Sequence, residues 1–89
     1  MRQNPEFFGD QELELLYIAK KLALALEMER VLTAASIDYA VEVNYYVGGF
    51  LFKRERAGAF FYVRPADTQT AREAAVAAGF SPAELQSHH

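Results

Sequence analysis

The sequence predicts an α+β domain of the ferredoxin-like, or split βαβ, class, with the element order β-α-β-β-α and a short C-terminal helix. Three observations support this class: strict alternation over 37–47, an aromatic strand at 59–63, and helical spacing in two other segments. The 89 residues suffice for a single domain over 1–89, with 1–10 as a lead-in and 87–89 as a frayed tail.

The first half of the chain can be interpreted in two ways. As one helix over 11–36, it would place charged side chains around most of the helix surface. Alternation over 12–19 instead favours a strand, and the residues that follow favour a helix over 21–36. Apolar residues recur there at helical spacing, namely Leu24, Met28, Val31, Leu32 and Ala35. We favour the split, although Lys20–Lys21 offers the helix no side-chain cap.

The middle of the chain predicts a β-hairpin. Gly48–Gly49 after the strand at 37–47 suits a tight reversal, and Phe50–Phe52 could begin the returning strand. We expect 53–58 to be a charged connection and 59–63 to be the next strand. One face of the strand at 37–47 is expected to be buried. It carries Tyr39, Val41, Val43, Tyr45 and Val47.

The last part of the chain predicts a helix and a turn. The helix should start with Asp67 or Thr68 as its cap and end near Ala78. Gly79 then suits the left-handed position that often ends a helix. A serine followed by proline predicts a short terminal helix at about 82–86.

Several stretches resemble a family of small bacterial signal-transducing domains related to the PII-like signalling fold. They are Leu15–Ala19, Val31–Tyr39, Gly58–Val63, and Pro65–Asp67 with Ala71–Arg72 and Gly79–Phe80. The chain departs from the family pattern at Lys20–Lys21, where a cap is usual, and at Ser36, where glycine usually ends the helix. The resemblance implies a regulatory domain, and no residue inherits a catalytic role from it.

Composition excludes several functions. The chain has no cysteine, so disulfides and thiolate metal sites are excluded, and a net charge of −3 argues against nucleic-acid binding. Charged residues interrupt every apolar run before the roughly 18 residues that a membrane span needs, so we expect a cytoplasmic protein. His88 and His89 are terminal, and we expect neither a metal nor a cofactor.

Four cations are the candidate ligand site. Lys53, Arg54, Arg56 and Arg64 lie near aromatic residues and could bind a small anionic metabolite. The same pattern would suit single-stranded RNA, or it could be a solvated loop.

Aromatic residues beyond those that one core needs indicate a second buried surface. If helices cover one sheet face, then Tyr46, Phe60 and Tyr62 share the other, which predicts a homo-oligomer, most simply a homodimer. The alternative is that Phe7, Phe8 and the terminal helix cover them.

These observations together predict a small non-enzymatic regulatory or interaction domain, with a protein partner as a further possibility. The enzyme alternative would require a polar pocket built from Glu42, Tyr46 or Tyr62.

Overall fold

A computed structural model describes residues 1–48 and 54–85, with the backbone alone described for 46–48 and 54–56. The fold is α+β, with an antiparallel three-stranded sheet in the order β1-β3-β2 and two helices. The main elements are β1 (Glu14–Ala19), α1 (Leu22–Ala34), β2 (Tyr39–Gly48), β3 (Arg54–Val63) and α2 (Thr68–Ala77). Three single turns of 3₁₀-helix complete the described part of the fold, at Pro5–Phe8, Pro65–Asp67 and Pro82–Glu84.

The division of the first half into a strand and a helix is confirmed. β1 ends at Ala19, and α1 begins at Leu22 after Lys21, whose backbone is still extended. Lys21 makes no side-chain capping bond, as expected because a lysine side chain has no oxygen that could accept one. Packing of the apolar helix face on the sheet therefore stabilises α1 more than its N-terminus does.

A β-bulge in β1 explains why this strand is more deeply buried than simple alternation allows. Leu15 pairs with Tyr62 and Tyr17 pairs with Phe61, so Leu16 is an extra residue with no partner of its own. Leu16 and Tyr17 are consecutive, yet both belong to the core. The bulge thus adds one large apolar side chain to the helix side of the sheet.

The long strand β3 corrects one sequence prediction. The charged segment 53–58 was expected to be a connection, but its residues from Arg54 to Gly58 lie within β3. Pairing with Asn44–Gly48 of β2 forms a backbone ladder there, and this gain outweighs the unfavourable composition. Gly49 and the strand expected at Phe50–Phe52 lie outside the described residues.

Both helices end in the same hydrogen-bond pattern. At the end of α2, the Phe80 amide donates to the Ala75 carbonyl and the Gly79 amide to the Val76 carbonyl. These two bonds make a Schellman motif, with Gly79 at φ 107° as predicted.

Ser36 occupies the equivalent position after α1. Its φ is 59°, which makes it the one non-glycine residue with positive φ in the described part of the chain. The Ser36 amide donates to Thr33 and the Ile37 amide to Leu32. Ser36, which carries a Cβ, therefore adopts a backbone conformation that favours glycine.

The core lies between the helices and one face of the sheet. Tyr39 and Phe61 stack with ring centroids 5.8 Å apart, and Phe80 meets Tyr17 edge-on at 5.1 Å. The helices contribute mainly Met28 and Leu32 from α1 and Ala71 and Ala75 from α2. Because the α2 face is made of alanines, this helix can lie close to the sheet.

The start of the chain lies along the free edge of β2. The Gln3 amide donates to the Tyr39 carbonyl, and the Tyr39 amide donates to Met1. Nearby, the Tyr39 hydroxyl donates to Glu29, 3.0 Å away. The N-terminal residues therefore protect the beginning of this strand edge from further pairing.

Candidate functional site

The sheet face opposite the helices carries a continuous set of mostly apolar side chains, most of them partly buried. Phe60 and Tyr62 lie at its centre, because β3 is the middle strand. Cross-strand pairing places Ile18 and Glu42 beside Phe60, and Leu15 and Ala40 beside Tyr62. We call this surface the outer face; it consists of Leu15, Ile18, Ala40, Glu42, Phe60 and Tyr62.

A groove of about 310 Å³ crosses one end of the outer face. Its lining is mostly apolar and consists of Pro5, Leu13, Ala40, Val41, Glu42 and Tyr62. The volume lies at the lower end of the range typical of small-molecule sites, about 300–1,000 Å³. The groove therefore has room for a small ligand or for one large side chain of a partner.

The electrostatics of the groove do not suit an anion. Glu42 is the one charged residue among the six lining residues that the structure describes. Burial, together with the Glu42 carboxylate, raises the pKa of Tyr62 above its ordinary value of 10.0. Tyr62 is thus a neutral hydrogen-bonding group at physiological pH, in surroundings that disfavour a second negative charge.

Part of this groove could not be found from sequence patterns. Pro5 lies in the N-terminal turn and Leu13 directly precedes β1; both lie outside the sheet, and both line the groove. The same turn buries Phe8, while half of Phe7 stays exposed. Phe8 contacts the Phe7 ring and the Arg64 guanidinium at the end of β3, so the alternative in which both phenylalanines cover Phe60 and Tyr62 stays a prediction.

Arg64, one of the four candidate cations, is engaged within the fold. Its guanidinium lies 3.5 Å from Asp38 and 4.0 Å from Asp67, and its Nε donates to Gln11 at 3.0 Å. It also lies over the rings of Phe7 and Phe8, 5.4 Å and 5.1 Å from their centroids. These contacts hold the N-terminal turn against the end of β3.

The other candidate cations are far from Arg64. Arg54 and Arg56 begin β3, whereas Arg64 follows its last residue. Ten residues of extended chain separate Arg54 from Arg64, a distance of about 33 Å. Arg64 therefore cannot share a small ligand with Arg54 and Arg56 in one chain. Lys53 lies outside the described residues. Of the aromatic residues predicted near these cations, Tyr46 is paired with Arg56 through the backbone of the β2–β3 ladder.

Within 1–48 and 54–85, no group of three or more histidine, cysteine, aspartate or glutamate residues is arranged to hold a metal ion. Over the same residues, no helix has the length and apolarity needed to cross a membrane. Comparisons with protein-family models, with curated proteins and with solved structures find no match.

Proposed function

We propose that this chain is a small non-enzymatic interaction domain that self-associates through the outer face of its sheet. The observation that carries the proposal is the apolar set around Phe60 and Tyr62, on the side of the sheet that the two helices leave uncovered. Apolar surface of this kind, once it is contiguous, is typical of a site that a partner covers. The alternation in the sequence places Tyr46 on the same face, and we include it in this proposed interface.

We propose in addition that the fold is ferredoxin-like. The support is the order β1-α1-β2-β3-α2, with β3 between β1 and β2 in the sheet. A split βαβ unit followed by a hairpin strand and a second helix would have this arrangement. It agrees with the resemblance to the PII-like signal-transducing family, and we keep a regulatory role in the cytoplasm as part of the proposal.

A small anionic ligand, if the domain senses one, belongs at the start of β3. Arg54 and Arg56 remain candidates for this role together with Lys53, while Arg64 is engaged elsewhere in the fold. Arginine pairs well with phosphate and carboxylate groups because its planar guanidinium donates two parallel hydrogen bonds. Thermal denaturation with phosphate and with nucleotides tests this part. We expect a stabilising shift that the double variant Arg54→Ala, Arg56→Ala abolishes; no shift with any of these anions would remove the ligand from the proposal.

Light scattering tests self-association through the outer face. We expect a dimer whose dissociation constant rises by about tenfold or more in Phe60→Ser, since central aromatic residues dominate interface energies. Ile18→Thr removes apolar surface from the same face while keeping a β-branched side chain, so it guards against a folding defect. Val76→Ser is the matched control, because Val76 is an exposed apolar residue on α2. A dimer insensitive to Phe60→Ser and Ile18→Thr would refute this interface.

A further inference from the structure

The helix side of the sheet is only partly covered by the helices. β2 has ten residues, about 33 Å of extended chain, whereas the 13 residues of α1 span about 20 Å. β1 pairs with β3 only from Ala59 to Val63. Residues 43–48 and 54–58 therefore form a two-stranded arm that continues beyond the core.

Apolar side chains on this side of the arm remain in solvent. Val43 and Tyr45 alternate with the buried Tyr39, but they are 74% and 65% exposed. This corrects the expectation that the whole face would be buried. On α1, Leu22 and Leu26 are 75% and 56% exposed, and their spacing places them on one side of the helix.

A groove of about 200 Å³ lies between these two sets of residues. Leu22 and Val43 both line it, and most of the other lining residues are alanine or glycine. The lining consists of Ala19, Lys20, Lys21, Leu22, Ala25, Val43, Ala57, Gly58 and Ala59. The small lining residues leave room for a large side chain.

We propose that a second copy of this chain covers this surface, with the Tyr45 ring of each subunit in the groove of the other. Tyr45 pairs with Ala57, which itself lines the groove, so the projecting ring and the groove that receives it adjoin on one face. A twofold axis brings two such faces together with each ring opposite a groove, as an isologous interface requires. We call this surface the arm interface; it consists of Leu22, Leu26, Val43, Tyr45 and the groove.

The exposed area reaches the lower limit for a specific dimer. Covering the four large side chains would remove on the order of 500 Å² of mostly apolar surface per subunit, so that the total reaches the roughly 1,000 Å² expected of a specific interface. Tyrosine suits this position because its ring is apolar while its hydroxyl can remain hydrated at the rim. Lys21 also lines the groove, and its ammonium group can supply a cation–π attraction to the ring.

Sedimentation equilibrium on the full chain tests the arm interface. We expect Tyr45→Ser to raise the dissociation constant for association through the arm interface by about tenfold or more. Leu22→Ser should have a similar direction of effect, and it removes an exposed side chain at the start of α1 without disturbing the arm. Val76→Ser serves as the control for loss of exposed apolar area elsewhere, and circular dichroism verifies that each variant is folded.

Phe60→Ser separates this inference from the proposed function. A dimer lost in Tyr45→Ser and Leu22→Ser but kept in Phe60→Ser supports the arm interface and refutes association through the outer face. The reverse pattern refutes the arm interface alone. A tetramer that both kinds of variant reduce to dimers supports the two surfaces together, and a wild-type monomer at millimolar concentration refutes both.

Discussion

Replacing Ser36 with glycine should stabilise the protein. Ser36 holds φ 59° at the end of α1, where a residue with a Cβ is strained by about 1–2 kcal/mol. Glycine removes this strain, but it also gives the unfolded chain more freedom, which costs about 0.5–1 kcal/mol. The difference leaves a net gain of about 0.5–1 kcal/mol in the free energy of unfolding. For a domain of this size, Tm would rise by about 2–8 °C.

Urea denaturation of Ser36→Gly, with calorimetry as a second measurement, tests this value. Ser36→Ala is the matched control, because it removes the hydroxyl but keeps the Cβ; its free energy of unfolding should change by less than about 0.5 kcal/mol. Gly79→Ala should act in the opposite direction and destabilise by about 1 kcal/mol or more. Apart from its chain neighbours, a Cβ at Gly79 would meet no described atom within 4 Å, so that loss would come from the backbone alone.

The reasoning would be refuted if Ser36→Gly left stability unchanged or lowered it while Gly79→Ala destabilised the protein. That pair of results would mean that the two helix ends, despite the same hydrogen bonds, do not impose the same backbone strain.

Three further predictions follow from the core, the tyrosines and Arg64. In denaturant titrations, Leu16→Ala should lower the free energy of unfolding by about 2–5 kcal/mol, because Leu16 is fully buried. Leu22→Ala should change it by less than about 0.5 kcal/mol, because Leu22 is exposed. Equal losses would contradict this difference in burial. Burial raises the pKa of Tyr17, Tyr39 and Tyr62, so their contribution to stability is complete below pH 10 and is lost as the pH rises through the higher folded-state values. Phenolate absorbance should show Glu42→Gln lowering the pKa of Tyr62 but leaving it above 10, since burial is the larger cause; an unchanged pKa would contradict the proximity of Glu42. Arg64→Ala should lower the free energy of unfolding by about 1–2 kcal/mol, because Arg64 contacts Phe8 and Gln11. It should also speed proteolysis within residues 1–11. An unchanged proteolysis rate would show that Arg64 does not hold this segment.

Element types were predictable because the hydrophobic period differs between strands and helices. The element ends were less predictable, and Ile37 shows why. Alternation includes Ile37 in the second strand, but its amide bonds to Leu32 and completes the ending of α1. β2 therefore begins at Tyr39. Similarly, β1 begins at Glu14, since its partner Val63 is the last residue of β3.

The candidate surfaces were only partly predictable, because alternation assigns a residue to a face without showing how far that face is covered. It correctly places Phe60 and Tyr62 together on one side of β3. It cannot show that α1 is shorter than β2, and so it predicts burial for Val43 and Tyr45, which the structure exposes. The contribution of Pro5 to the outer-face groove depends on tertiary packing of the N-terminal turn, for which no local period exists.

The two proposed interfaces use opposite faces of the same strands, and this makes them separable by mutation. In β3, Ala57 and Ala59 belong to the arm side, whereas Phe60 and Tyr62 belong to the outer face. A substitution on one face leaves the side chains of the other face in place, so a change in assembly can be attributed to one surface. Because neither face blocks the other, a chain that used both would form assemblies larger than a dimer. The stoichiometry of the wild-type protein therefore distinguishes one working surface from two before any variant is made.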